Sequence, residues 1–72
     1  MTRSYPLHNL GCASCAAKME RQIARVPGVQ HCTVNFMTGK LVLEVKEEQL
    51  TQILKEADRI VQRIEPRVRL QC

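Results

Sequence analysis

With 72 residues the chain sits near the lower limit for folding on one hydrophobic core, where only about 60% of the unfolded surface is buried. Its 44% apolar and 25% charged residues, with three Gly and three Pro, exclude disordered, collagen-like and low-complexity classes. Eleven Lys/Arg against seven Asp/Glu give a net charge of +4, a modest excess that suits a solvated surface or an acidic partner face.

Uninterrupted apolar runs are only a few residues long, as in Leu41-Val42-Leu43. This leaves no room for a membrane-spanning helix, direct membrane insertion or a secretory signal, and points to the cytoplasm or the cytoplasmic face of something larger. The two aromatic residues, Tyr5 and Phe36, are too few for a nucleic-acid stacking platform, so no nucleic acid is expected as partner. Four cysteines without a signal segment, two of them in a Cys-x-x-Cys, favour metal or redox chemistry over structural disulfides.

In chain order, Tyr5 and Leu7 alternate as a strand, and Leu10 leads into Gly11-Cys12-Ala13-Ser14-Cys15. Ala16, Met19, Ile23 and Val26 then recur on one face of a helix. Ser14 is the expected N-cap, and Pro27-Gly28 the stop. Cys32, Val34 and Phe36 alternate in a half-buried strand, Thr38-Gly39 turns, and Leu41, Leu43 and Val45 complete a hairpin. Glu47 and Glu48 suit the positive end of a second helix. Its apolar stripe is Leu50, Ile53, Leu54, Ala57, Ile60, Val61 and Ile64, and Pro66 ends it at about Glu65. Val68 and Leu70 form a short last strand.

The order β-α-β-β-α-β is the ferredoxin-like arrangement, an α+β sandwich with a four-stranded antiparallel sheet and both helices on one face. Residues 1–72 are read as one domain. In this topology the cysteine loop, the Thr38-Gly39 turn and the Glu65-Pro66 loop share one end. The termini, His31 and Cys32 lie at the other. Met19, Ile23, Val34, Phe36, Leu43, Ile53 and Ile60 are the expected core.

Cys12 and Cys15 leave a strand and enter a helix, a spacing that lets two sulfurs converge on one ion. Cys15, at the helix start, is placed where backbone N–H groups favour a thiolate, with Lys18 one turn on. Thiolates bind soft metals. Glu65, in the loop at the same end, is the candidate accessory oxygen ligand; as a solvated residue at a helix end it needs no ligand role at all. His8 stands about 13 Å of strand travel before Cys12 and reads as a surface residue. Cys32 reads as a buried core thiol and Cys72 as a loose terminal one.

These residues resemble a family, the heavy-metal-associated domains of copper chaperones, mercury-binding proteins and metal-transporting P-type ATPases. The likeness runs from Tyr5 to Leu70 and rests on Cys12-Ala13-Ser14-Cys15-Ala16-Ala17-Lys18-Met19-Glu20, Pro27-Gly28-Val29 and Val34-Asn35-Phe36. It implies one metal ion held by Cys12 and Cys15 and passed on by ligand exchange. Asn9-Leu10-Gly11-Cys12, Asn35-Phe36-Met37-Thr38 and Ile60-Val61…Ile64-Glu65-Pro66 look most like the N-terminal domains of zinc/cadmium/lead-exporting ATPases. That ranks Zn(II), Cd(II) or Pb(II) ahead of Cu(I), with other domains of a parent transporter or a metal-transfer partner as the protein contacts. Two departures stand out: Leu10 replaces the Met common in copper-type domains, and Gly11 replaces the Asp often present in zinc-type ones. Two sulfurs alone suit Cu(I), whereas Zn(II) seeks four ligands. The alternatives are a Cu(I) chaperone or copper-ATPase domain, and a redox dithiol protein. No nucleotide loop or acid/base constellation is present, so the segment itself is not expected to be an enzyme.

Overall fold

A computed structural model of the chain describes residues 1–71; Cys72 lies outside the described residues. Strand β1 (Thr2–His8), helix α1 (Ala13–Ala24), β2 (Val29–Asn35), β3 (Lys40–Val45), helix α2 (Leu50–Ile64) and β4 (Arg69–Leu70) follow in order, with a 3₁₀ turn at Glu47–Gln49 before α2. The sheet order is β2-β3-β1-β4, all pairings antiparallel. This is the expected ferredoxin-like βαββαβ fold.

Alternation places the core. Leu41, Leu43 and Val45 on β3, with Leu7 and Cys32 from the flanking strands, face Met19 and Ile23 of α1 and Ile53, Ala57 and Val61 of α2. β3 is one of the two inner strands, and three of its residues are fully buried against the helices. Each such aliphatic side chain contributes about 1.5–3 kcal/mol by leaving water. Val68, immediately before β4, is likewise fully buried and anchors the last loop.

Three sequence expectations are corrected. Phe36 is 38% exposed and lies just past the end of β2, outside the core. The side chain of Asn35 accepts the backbone N–H groups of Met37 and Thr38 and so turns the chain before the strand alternation can reach Phe36. Helix α2 begins at Leu50, because Glu47 and Glu48 occupy the 3₁₀ turn. Ser14 lies inside α1, and the cap is Cys12.

The predicted helix stop is observed. Arg25 and Val26 donate to carbonyls three residues back, and Gly28 takes φ +97°, a left-handed conformation that glycine alone adopts freely. At the opposite end, Leu7 N–H donates to Gly39 O at 2.7 Å, and Asn9 Nδ2 donates to Arg67 O at 3.1 Å. The hairpin turn, the cysteine loop and the α2–β4 loop are thereby drawn to one end, as the topology requires.

Candidate metal centre

Cys12 is extended (φ −133°, ψ 115°), and its carbonyl accepts the N–H of Ala16 at 3.0 Å, the first bond of α1. A cap residue usually turns a side-chain oxygen onto the free N–H groups of the first turn. Here the Cys12 sulfur takes that place and receives the N–H of Cys15 at 3.4 Å. Cys15 is the third helical residue, so the helix start brings both sulfurs to one edge, and both are half-buried. Gly11 keeps the approach open: a Cβ there would meet nothing within 4 Å.

The electrostatics distinguish the two thiols. Cys12 is lowered from 9.0 to about 7, first by its hydrogen bond with the Ser14 hydroxyl (3.0 Å), then by the Cys15 thiol and the Cys15 N–H. Cys15 is raised, first because its thiol donates to the Cys12 sulfur, then by burial and by the charges of Cys12 and Glu65, against an opposing contribution from Lys18. At pH 7 Cys12 is therefore about half ionised, and its proton leaves before that of Cys15. The helix start by itself favours a thiolate at Cys15. The structure gives it to Cys12, because the capping position receives the N–H group and the Ser14 hydroxyl together.

Glu65 ends α2, and its carboxylate accepts the N–H of Arg67 at 3.4 Å, so it first organises its own loop. Its charge is felt at Cys15, which puts it in the neighbourhood of the pair. Among the described residues, no group of three His, Cys, Asp or Glu side chains is placed to hold one ion. At this end of the domain the fold brings two sulfurs together, those of Cys12 and Cys15.

The remaining candidates lie elsewhere. His8 is exposed and bonded to the side chain of Gln71. His31 is exposed on β2 and bonded to the Thr33 hydroxyl. Cys32 is 7% exposed, and burial, with the Glu20 charge, pushes its thiol up to about 12, as suits a core residue. Two contributors escaped sequence reading. The hydroxyl of Ser14, expected to cap the backbone, serves the Cys12 sulfur, and the amide of Asn9 holds the Arg67 carbonyl.

With that geometry in place, comparison with known proteins is informative. The family profile of the heavy-metal-associated domain matches residues 5–67. A probable copper-transporting ATPase, PacS, of Synechocystis sp. is 45% identical over 56 residues, which cover 78% of this chain and 8% of that protein. A cadmium, zinc and cobalt-transporting ATPase of Helicobacter pylori is 34% identical over 55 residues, covering 75% of this chain and 8% of that protein. The chain thus spans about 8% of the length of these relatives. The solution structure of the N-terminal domain of the copper(I) ATPase PacS in its apo form superposes with a TM-score of 0.75 at 37% identity, over 99% of this chain and 90% of that one.

Proposed function

The chain belongs to the heavy-metal-associated domain family, and from that premise we propose that it binds one soft metal ion between Cys12 and Cys15 and passes it on by ligand exchange. Its setting is the cytoplasmic N-terminal region of a metal-transporting P-type ATPase. The observation that carries the reading is the pairing of two half-exposed sulfurs at the first turn of α1, one of them about half ionised at pH 7.

Two thiolates, with no third donor placed beside them among the described residues, match the linear preference of Cu(I), and that is the ion this pair supports best. The likeness to a copper-transporting ATPase points the same way. Sequence reading ranked Zn(II), Cd(II) and Pb(II) first. Divalent ions stay as a second reading, supported by the likeness to a cadmium, zinc and cobalt-transporting ATPase and by the Glu65 charge beside Cys15. They would need water, Glu65 or a partner's ligand to complete their shell. An accessible ion in an incomplete shell suits transfer, because an incoming thiolate adds before the first one leaves.

The test is anaerobic competition titration with Cu(I), Cd(II) and Zn(II) on the wild type, C12S/C15S, C32S and Glu65→Ala. One equivalent of Cu(I), lost only in C12S/C15S, is expected. Zn(II) or Cd(II) binding that outcompetes Cu(I) and falls in Glu65→Ala would establish the divalent reading. Binding lost in a folded C32S would remove the site from the first loop.

A further inference from the structure

Asn9 is the one non-glycine residue among those described with a left-handed backbone, at φ 67°. An L-residue adopts this conformation at a cost, and Asn tolerates it better than most because its short amide can bond locally. Here the amide reaches 58 residues along the chain: Nδ2 donates to Arg67 O at 3.1 Å. The acceptor is held in a fixed loop. Arg67 N–H is bound by the Glu65 carboxylate, Val68 N–H by the Glu65 carbonyl at 3.1 Å, and the Val68 side chain is fully buried.

Only Leu10 and Gly11 separate Asn9 from Cys12. Leu10 packs against the core, whereas Gly11 offers no side chain to restrain the loop. The approach to the Cys12 sulfur is thus fixed by one packed leucine and by the Asn9 clasp to the α2–β4 loop. We infer that Asn9 is a positioning residue for metal binding, clasping the cysteine loop to the Glu65–Arg67 loop so that the Cys12 sulfur is held ready beside Cys15.

This role rests on the proposed binding of metal by Cys12 and Cys15. It also assigns Glu65 a function independent of ligation: its carboxylate fixes the loop to which Asn9 is clasped. A loop released from the clasp samples arrangements in which the two sulfurs diverge, and the bound ion leaves from those.

The experiment compares wild type with Asn9→Asp, which keeps the shape and removes the donor, and Asn9→Gly, which keeps the left-handed backbone without a side chain. Cu(I) is withdrawn anaerobically by bicinchoninate, and amide hydrogen exchange is followed in the apo protein. Both variants are expected to release Cu(I) about fivefold faster, the scale of one lost hydrogen bond. Amides of residues 10–15 and 65–68 should exchange faster together, while those of β3 and the centre of α2 stay protected. Unchanged release, or a Gly variant that behaves as wild type, would overturn the role. So would faster exchange spread evenly over the chain with a matching fall in melting temperature, since that describes stability alone. Failure of the wild type to take up Cu(I) would overturn the proposed function and this role with it. The apo exchange data would then show whether the clasp itself was present.

Discussion

Removing the Ser14 hydroxyl should change the chemistry of Cys12 more than the stability of the protein. In Ser14→Ala the largest influence lowering Cys12 is gone, so its pKa should climb from about 7 back toward 9.0. The sign is fixed by the charge: a hydrogen bond to the sulfur favours the thiolate, so its loss moves ionisation to higher pH. At pH 7 a thiol of pKa about 7 is roughly half ionised, while one of pKa about 9 is about 1% ionised, a ratio near 50. Lower pKa also means a weaker nucleophile, and a Brønsted slope of about 0.4–0.5 over two units takes back about eightfold. The net expectation is that Cys12 of the wild type reacts with iodoacetamide about fivefold faster than an ordinary thiol at pH 7, with its rate rising through an inflection near pH 7. In Ser14→Ala that advantage should shrink and the inflection should shift upward. Peptide mass spectrometry of timed, pH-resolved alkylation reads both cysteines separately. Initial labelling at Cys15, or a Ser14→Ala profile that superposes on wild type, would refute the assignment of the charge to Cys12.

Other perturbations test the scaffold. Leu43→Ala opens a cavity in a fully buried position of β3 and should cost about 2–5 kcal/mol, measured by urea unfolding. Phe36→Ser should cost under about 1 kcal/mol in the same assay, since the ring is 38% exposed and outside the core. Gly28→Ala forces a Cβ onto φ +97° and within 3.2 Å of the Ile53 side chain, so a loss of about 1–3 kcal/mol is expected in thermal melts. Cys32 has a folded pKa of about 12, above its ordinary 9.0. The unfolded chain therefore loses this proton first, and stability should fall as pH rises from about 9 to about 12. Alkaline denaturation should show a steeper fall in wild type than in Cys32→Ala across this range.

Much of the fold was legible because the apolar periods are regular. Met19 and Ile23 at a helical step, Leu41, Leu43 and Val45 at a strand step, and the stripe through Ile53, Ala57 and Val61 each admit one way of facing a core. The topology then followed from element order, and it grouped Cys12, Cys15 and Glu65 at one end before any coordinates. Phe36 shows where the periodicity misleads. Alternation continues on paper from Cys32 and Val34 to Phe36, but the Asn35 side chain takes the backbone N–H groups of Met37 and Thr38 and bends the chain away. That competition between a local side-chain acceptor and the strand ladder is decided in three dimensions.

The cysteine pair itself was readable from the sequence, since spacing and a strand-to-helix junction are local properties. Its electrostatic order was not. Whether the thiolate sits on Cys12 or Cys15 depends on which residue becomes the cap, and in the structure that residue is Cys12. The Asn9 clasp was beyond sequence reasoning for a related cause, because its acceptor, Arg67, lies at the far end of the chain and only the folded sheet brings it near. Sequence thus determined the elements, their order and the two sulfurs, all of which depend on neighbours a few residues apart. Only the three-dimensional structure decided which sulfur carries the charge, because that follows from which residue takes the cap geometry, and what holds the loop, because the Asn9–Arg67 bond joins residues 58 positions apart.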